Sequence, residues 1–191
     1  MPEPLRVVRS ELLLGTDAAA RMAHAARLAQ AWLDAAPDHR VVCVNMDRTA
    51  WPVAASPRQV TMEEPTELAH ALGADSRPDT LIVVDCLTLW LTASMVRAMR
   101  PDASDAYMAE GRVPRAIPLA DAVRACAGPL VLVADGAEVV EAAPVPPSRP
   151  AAPDARQLRQ TLGSLQQQAA AACARVTLVT RDGVMTLKDA A

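Results

Sequence analysis

The residues best placed for chemistry lie near the amino terminus, where Gly15 follows an apolar stretch and precedes a pattern of helical spacing. Backbone N–H groups at the start of a helix bind phosphate and other anions, most readily when a glycine lets the ligand approach closely. The eight residues from Gly15 can be overlaid on the phosphate-loop pattern G-x-x-x-x-G-K-[S/T], with the first glycine matched. These residues are predicted to bind the phosphates of a nucleotide: Gly15, Thr16, Asp17, Ala18, Ala19, Ala20, Arg21 and Met22.

Three of these residues depart from the pattern in ways that weaken triphosphate binding. Ala20 places a methyl group where glycine would let the backbone approach the phosphates. Arg21 keeps the positive charge but carries it on a planar fork, whereas the usual lysine ammonium reaches between the β- and γ-phosphates. Met22 has no hydroxyl group for a magnesium ion. An active kinase site, a weakened anion or nucleotide site, and a purely structural turn all stay open.

Asp85 is a second candidate, because it ends the apolar run 80–85. A carboxylate at the end of a buried strand can hold magnesium directly or through water, so we predict a catalytic and metal-binding role for it. The alternative is a structural role, in which Asp85 caps the strand end through Thr88. Three apolar residues that follow are predicted to pack in the core: Leu87, Leu89 and Trp90.

A sheet is needed to bring these residues together. Short apolar runs, as in buried parallel strands, occur at residues 11–14, 40–45, 80–85, 129–134 and 175–180. Helical periodicity occurs at residues 18–36, 65–72, 119–126 and 154–174. Strands that alternate with helices predict an α/β fold with a doubly wound, mainly parallel sheet. Gly15 and Asp85 should then lie at the carboxyl ends of adjacent or near-adjacent strands.

The carboxyl terminus predicts a different strand arrangement. Arg181, Asp182 and Gly183 separate the last apolar run from residues 184–187, and an Asp-Gly pair between two apolar runs is typical of a hairpin. We therefore expect the sheet to end in an antiparallel hairpin. At 191 residues the chain is predicted to form a single domain, residues 1–191, with proline-rich surface loops near 100–118 and 142–153.

Composition excludes several classes of function. The net charge of −3 and the pI near 5.6 argue against nucleic-acid binding, which favours a basic surface. No apolar run approaches the roughly 18 residues of a membrane-spanning helix, and no leader pattern is present, so we predict a cytoplasmic location without a membrane span. Four cysteines without C-x-x-C spacing are predicted to be reduced core residues: Cys43, Cys86, Cys126 and Cys173.

Longer segments carry a resemblance to a known family. Residues 60–68 read VTMEEPTEL and residues 83–91 read VVDCLTLWL, close to the V-E-E-P-x-x-L segment and the D-C-L-T-L-W-L signature of the adenosylcobinamide kinase/guanylyltransferase family of cobalamin biosynthesis. The opening ELLLG at 11–15 is similar to the family's first strand. Residues 162–174 are similar to its G-x-x-N-Q helix, and residues 176–188 to its closing hairpin.

This resemblance implies a P-loop NTPase-like fold, GTP or ATP and magnesium as cofactors, and nucleotide and a corrinoid, adenosylcobinamide, as ligands. Such a protein phosphorylates adenosylcobinamide and then transfers GMP from GTP through a histidine intermediate. The family's tendency to self-associate implies a homo-oligomer or a partner of an active paralogue. The departures at Ala20, Arg21 and Met22 imply weakened or lost catalysis, and the alternative is a non-catalytic nucleotide- or corrinoid-binding regulatory or structural subunit.

Two further departures concern polar residues. The family carries its guanylylated histidine after the second strand, but here Asn45 is followed almost directly by Trp51 and Pro52, so that segment looks deleted. Three histidines remain, and each is predicted to serve packing or the surface: His24, His39 and His70. The family's Asn-Glu after the fourth strand is aligned with Asp135-Gly136, which implies an altered contact to nucleotide or metal.

Overall fold

The computed structural model describes residues 5–45, 56–63, 68–98, 119–135 and 155–190. The predicted loops near 100–118 and 142–153 lie outside these ranges. The described elements are β1 (Ser10–Gly15), α1 (Ala18–Ala35), β2 (Arg40–Asn45), β3 (Gln59–Glu63), α2 (Leu68–Asp75), β4 (Thr80–Asp85), α3 (Leu87–Ala98), α4 (Leu119–Ala125), β5 (Leu130–Asp135), α5 (Ala155–Ala172), β6 (Arg175–Val179) and β7 (Val184–Asp189).

The described strands form one sheet in the order β3-β2-β4-β5-β1-β6-β7. All neighbouring pairs are parallel except β6 and β7, which form the predicted antiparallel hairpin. This is an α/β, doubly wound and mainly parallel sheet with a carboxyl-terminal antiparallel hairpin, as predicted. Gly15 ends β1 and Asp85 ends β4, with β5 between them, so both residues lie at the carboxyl edge on near-adjacent strands.

Helices cover both faces of the sheet. On one face Leu28, Ala29 and Leu33 of α1 pack against Leu13 and its neighbours on the other strands. On the opposite face α2 to α5 pack against a second apolar cluster, to which Leu12 contributes. Because successive side chains of a strand point to opposite faces, Leu12 and Leu13 contribute to different layers. All four cysteines are buried free thiols, which confirms their predicted core positions.

Two elements were missed by the sequence patterns. β3 is an edge strand whose Val60 is 60% exposed, so it lacks the apolar run that marks the central strands. α3 is rich in apolar residues throughout, and its core face therefore has no clear 3.6-residue period. The prediction that Leu89 packs in the core was wrong, because Leu87 and Trp90 are on the buried face of α3 while Leu89 is 40% exposed.

Two helices are capped by cations from distant segments. The last turn of α1 contains no basic residue, but Arg58, just before β3, donates from Nη1 to the carbonyl oxygens of Leu33 and Ala36, each at 2.9 Å. Lys188 in β7 donates to carbonyls at the end of α5, including that of Cys173 at 2.6 Å. A positive charge at a helix carboxyl end satisfies free carbonyls and complements the helix dipole.

Among the described helices, none is long and apolar enough to cross a membrane.

Glu11 is a buried acid in the middle of the sheet, and it predicts a pH-dependent stability. Its side chain is 2% exposed, Thr177 donates to Oε1 at 2.5 Å, and Oε2 has no partner among the described residues. Burial raises the pKa of Glu11, although the Thr177 hydrogen bond and the Arg175 charge partly oppose the shift. The folded protein therefore holds this proton more tightly than the unfolded chain does. Its free energy of unfolding falls as the pH rises from the ordinary pKa of Glu11 in the unfolded chain through the raised pKa in the folded protein.

We expect Glu11→Gln to raise the free energy of unfolding by about 1 kcal/mol at pH 7 to 8, because the amide removes a buried charge. The gain should disappear below about pH 4, where the carboxyl of the wild-type protein becomes protonated in the unfolded chain as well. Thermal unfolding across pH measures this, with Asp182→Asn in the exposed hairpin turn as the control. A variant less stable than the wild-type protein at pH 8 would contradict the prediction.

Candidate functional site

The turn between β1 and α1 is short and closely packed. Gly15 has φ of +154°, and a Cβ at this position would lie 2.1 Å from the carbonyl oxygen of Val179 at the end of β6. Only Thr16 and Asp17 separate the strand from α1, which begins at Ala18. Five of the eight candidate phosphate-binding residues are therefore the first residues of the helix: Ala18, Ala19, Ala20, Arg21 and Met22. The turn is tighter than the overlay on the phosphate-loop pattern implies.

Asp17 caps α1 and places a negative charge at its amino end. Its Oδ1 accepts a hydrogen bond from the Ala20 N–H at 3.0 Å, and its Oδ2 accepts one from Nε of Arg181 in the hairpin turn. The Arg181 hydrogen bond and then the Ala20 N–H lower the pKa of Asp17, so the carboxylate is charged at neutral pH. The carboxylate thus caps one free N–H of α1 and is itself paired with a cation of the protein.

Arg21 faces the interior. Its side chain is buried, with 2% exposure for the residue, and the guanidinium donates to the Gly15 carbonyl and to the Asp135 carboxylate. Asp135 is the register partner of Gly15 on β5, so the ion pair joins the ends of two neighbouring strands. Arg21 Nε is buried and has no hydrogen-bond partner among the described residues. The cation in the position of the phosphate-loop lysine is engaged by the protein's own carboxylate.

Asp135 also receives contacts from the segment that follows β4 and from α5. The thiol of Cys86 lies 3.5 Å from Oδ2, the Asp135 N–H donates to the Thr88 hydroxyl at 3.3 Å, and Gln166 of α5 donates to the Asp135 carbonyl at 2.6 Å. Burial, and next the charge of Asp135, raise the pKa of Cys86 to about 11, so the thiol stays protonated. Gln166 was not among the predicted site residues, although it lies in the segment 162–174 that carries the family resemblance. Asp135 was considered only through the alignment of Asp135-Gly136, as an altered contact to nucleotide or metal.

Asp85 ends β4 one strand away from this cluster. It is 9% exposed and is paired in register with Asn45 of β2 and Val133 of β5. Burial, and next the charge of Asp85, raise the pKa of Cys43 to about 12. The sequence suggested Thr88 as the partner of Asp85 in a strand-end cap. In the structure the Thr88 hydroxyl accepts a hydrogen bond from the Asp135 N–H. The sheet thus brings together Gly15, Arg21 and Asp85 at its carboxyl edge.

The residues at this edge do not fit a triphosphate in the way that a phosphate loop binds one. The Asp17 carboxylate takes the Ala20 N–H that a phosphate would otherwise bind, Arg21 is buried in an ion pair, and Met22 supplies no oxygen for magnesium. The sequence's only lysine, Lys188, caps α5 instead. Within the described ranges, no group of three or more His, Cys, Asp or Glu residues could hold a metal ion. A nucleotide would need this edge to rearrange.

Two histidines have packing roles, as predicted. His24 lies on the buried face of α1, where burial and then Arg27 lower its pKa to about 4. His39 precedes β2 at the amino edge of the sheet, and its ring stacks on Trp32 with centroids 3.7 Å apart. Its Nδ1 also lies 2.7 Å from the Trp32 carbonyl oxygen. The side chain of His70, on α2, is outside the described part of the structure.

Solved structures of other proteins are similar to this chain at low sequence identity. Among solved structures, a protein of Pyrococcus horikoshii OT3 is similar with a TM-score of 0.45 and 9% identity, covering 97% of this chain and 88% of that chain. A prototypical ATPase from the type III secretion system of pathogenic bacteria has a TM-score of 0.48 and 8% identity, covering 92% of this chain and 52% of that one. No curated protein matches the chain.

A family model gives the decisive match. The model described as cobinamide kinase / cobinamide phosphate guanyltransferase matches residues 55–187, which is more than two thirds of the chain. The matched range contains Asp85, Asp135 and Gln166, whereas the turn at Gly15 and the ion-paired Arg21 precede it. The chain belongs to the cobinamide kinase/cobinamide phosphate guanyltransferase family.

Proposed function

We propose that this protein is a member of the cobinamide kinase/guanyltransferase family that binds a nucleotide at the carboxyl edge of its sheet, with both transfer activities weakened or lost. One observation carries the proposal: Arg21, the cation in the position of the phosphate-loop lysine, is buried in an ion pair with Asp135. Phosphoryl transfer depends on positive charge positioned against the transferring phosphate. An arginine held by an internal carboxylate does not supply that charge.

Two neighbouring residues support the same proposal. Asp17 places a carboxylate at the amino end of α1, where anions are otherwise stabilised by free N–H groups. Met22, one residue after Arg21, removes the hydroxyl that holds magnesium against the phosphates. Asp85 stays as the evident carboxylate for a metal. The framework of the site is therefore retained, whereas the groups that drive transfer are altered.

We predict that magnesium changes the affinity for GTP or ATP by less than about threefold, because the metal has lost one of its anchors on the protein. Isothermal titration calorimetry with each nucleotide, with and without magnesium, measures this. The nucleotide binding itself should be weak, with Kd near or above the order of 100 μM, because several charge-assisted contacts are missing. A tenfold or larger gain with magnesium would contradict the prediction.

Titration with adenosylcobinamide separates the proposal from its alternative. Corrinoid binding without any nucleotide binding would favour a corrinoid-binding regulatory or structural subunit. Such a subunit would act as a homo-oligomer or beside an active paralogue, and light scattering of the purified chain alone and with that paralogue tests this. Turnover of adenosylcobinamide at a rate typical of kinases, about 1–100 per second, would contradict the loss of kinase activity.

We also predict that incubation with radiolabelled GTP leaves no acid-labile GMP adduct. A histidine nucleophile must be within reach of the α-phosphate, but His24 is buried in α1 and His39 is stacked on Trp32 at the amino edge. Acid and alkaline treatment of the labelled protein, followed by scintillation counting, measures the adduct. Stoichiometric labelling that is lost in His24→Gln, His39→Gln or His70→Gln would overturn the prediction.

A further inference from the structure

We propose that Asp135 is an internal competitor for anions at this site, and that its carboxylate occupies the place on Arg21 that a phosphate group would take. This inference rests on the proposed function, because it identifies the residue that controls nucleotide affinity there. A carboxylate and a phosphate present similar oxygen pairs to a guanidinium. Asp135 occupies Nη2 of Arg21, so a phosphate that takes this donor must displace the carboxylate.

Position makes Asp135 suited to this competition. It is the last residue of β5 and the register partner of Gly15, so its side chain leaves the sheet beside the turn that leads into α1. Arg21 lies in the first turns of that helix and reaches Asp135 and the Gly15 carbonyl from the same guanidinium. The third guanidinium nitrogen, Nε, is buried without a partner among the described residues. A buried donor that lacks an acceptor gains from a ligand with several oxygens.

Contacts around Asp135 hold it in the competing position. Its carboxylate accepts a hydrogen bond from the Cys86 thiol, and its backbone N–H donates one to the Thr88 hydroxyl. Its backbone carbonyl accepts a hydrogen bond from the Gln166 side-chain amide. These contacts come from the segment after β4 and from α5. Two of them hold the Asp135 backbone at its N–H and its carbonyl, and the third reaches its carboxylate. An Asp fixed in this way has less conformational freedom to lose when it pairs with Arg21. It therefore competes more strongly than a mobile surface carboxylate.

Asp135→Asn in the full chain tests the proposal. The amide keeps an acceptor oxygen for Arg21 but removes the charge, so an added anion should compete more easily. We expect binding of inorganic pyrophosphate and of GTP to tighten by about tenfold. Labelling of Arg21 by phenylglyoxal, followed by peptide mass spectrometry, should also become faster because the weakened pair opens more often. Asp121→Asn, in the exposed pair with Arg124 on α4, is the matched control and should change neither.

The two measurements separate the competitor from the proposed function. Faster labelling with tighter nucleotide binding supports both. Faster labelling with no nucleotide or pyrophosphate binding by either protein supports release of Arg21 but overturns both nucleotide binding and the competition. Unchanged labelling and unchanged GTP affinity, in a protein that does bind GTP, overturns the competitor and leaves the proposed function intact. Unchanged labelling without any binding overturns both.

A second variant keeps the test decisive if Asp135→Asn folds poorly. Thr88→Val removes the hydroxyl that accepts the Asp135 N–H but leaves both members of the ion pair in place. It should loosen Asp135, speed the labelling of Arg21 and tighten pyrophosphate binding, each by less than Asp135→Asn would. A folded Thr88→Val protein with wild-type values in both measurements would count against the proposal.

Discussion

Gly15→Ala is expected to lower the free energy of unfolding by about 3 kcal/mol, which corresponds to a fall in Tm of roughly 6–12 °C. Two independent penalties add at this position. The backbone φ of +154° is strained for any residue with a side chain, and the new Cβ would lie 2.1 Å from the Val179 carbonyl oxygen. That oxygen belongs to the backbone of β6, which is paired on both sides with β1 and β7, so the backbone must move to admit the methyl group.

Gly163→Ala is the matched control for this substitution. Gly163 lies inside α5, and no described atom would come within 4 Å of its added Cβ. Alanine should stabilise that helix by about 0.5–1 kcal/mol, because it loses less conformational freedom than glycine on folding. Chemical denaturation of the two variants should therefore give changes of opposite sign. A Gly15→Ala protein as stable as the wild type would show that β1 and β6 can separate at this edge.

Gly15 also illustrates how far the sequence alone leads. Its place between an apolar strand and a helical pattern was sufficient to predict where β1 ends and where α1 begins. The same approach located Asp85 at the carboxyl edge, because parallel strands of a doubly wound sheet end on one side. The overlay on the phosphate-loop pattern misplaced residues 18–22 in a loop, whereas the helical periodicity that begins at Ala18 correctly placed them in α1.

The contacts that define the site depend on residues far apart in the chain. Arg21 and Asp135 are separated by 114 positions, and nothing in the local pattern around either residue indicates the other. The same holds for the two helix caps. Arg58, which caps α1, lies just before β3, and Lys188, which caps α5, lies in β7. Local propensities predict elements, whereas these pairs exist only after the sheet order is established.

Arg21→Met is expected to produce the second large effect, a loss of about 3 kcal/mol in the free energy of unfolding. Removing one member of a buried pair leaves the other charge without compensation, and the Asp135 side chain is only 18% exposed. Methionine keeps much of the aliphatic length of arginine, so the loss reports on the charge more than on packing. Urea unfolding measures it.

The pair between Arg181 and Asp17 provides the comparison at the same edge of the sheet. The Arg181 side chain is 86% exposed, so Arg181→Met should change stability little, because water and salt screen exposed pairs. Equal losses for Arg21→Met and Arg181→Met would contradict the assignment of Arg21 as the buried cation.

A double substitution then decides whether the Arg21–Asp135 pair exists for stability. Replacing a buried ion pair with apolar residues of similar volume is often neutral or stabilising, whereas removing one partner is not. We therefore expect Arg21→Met/Asp135→Leu to recover most of the stability that Arg21→Met loses. Recovery would mean that folding does not require the pair, which fits a role in controlling anion binding at this edge. Failure to recover would mean that the pair is structural, and Asp135 would then be an anchor of β5 instead of a competitor for phosphate.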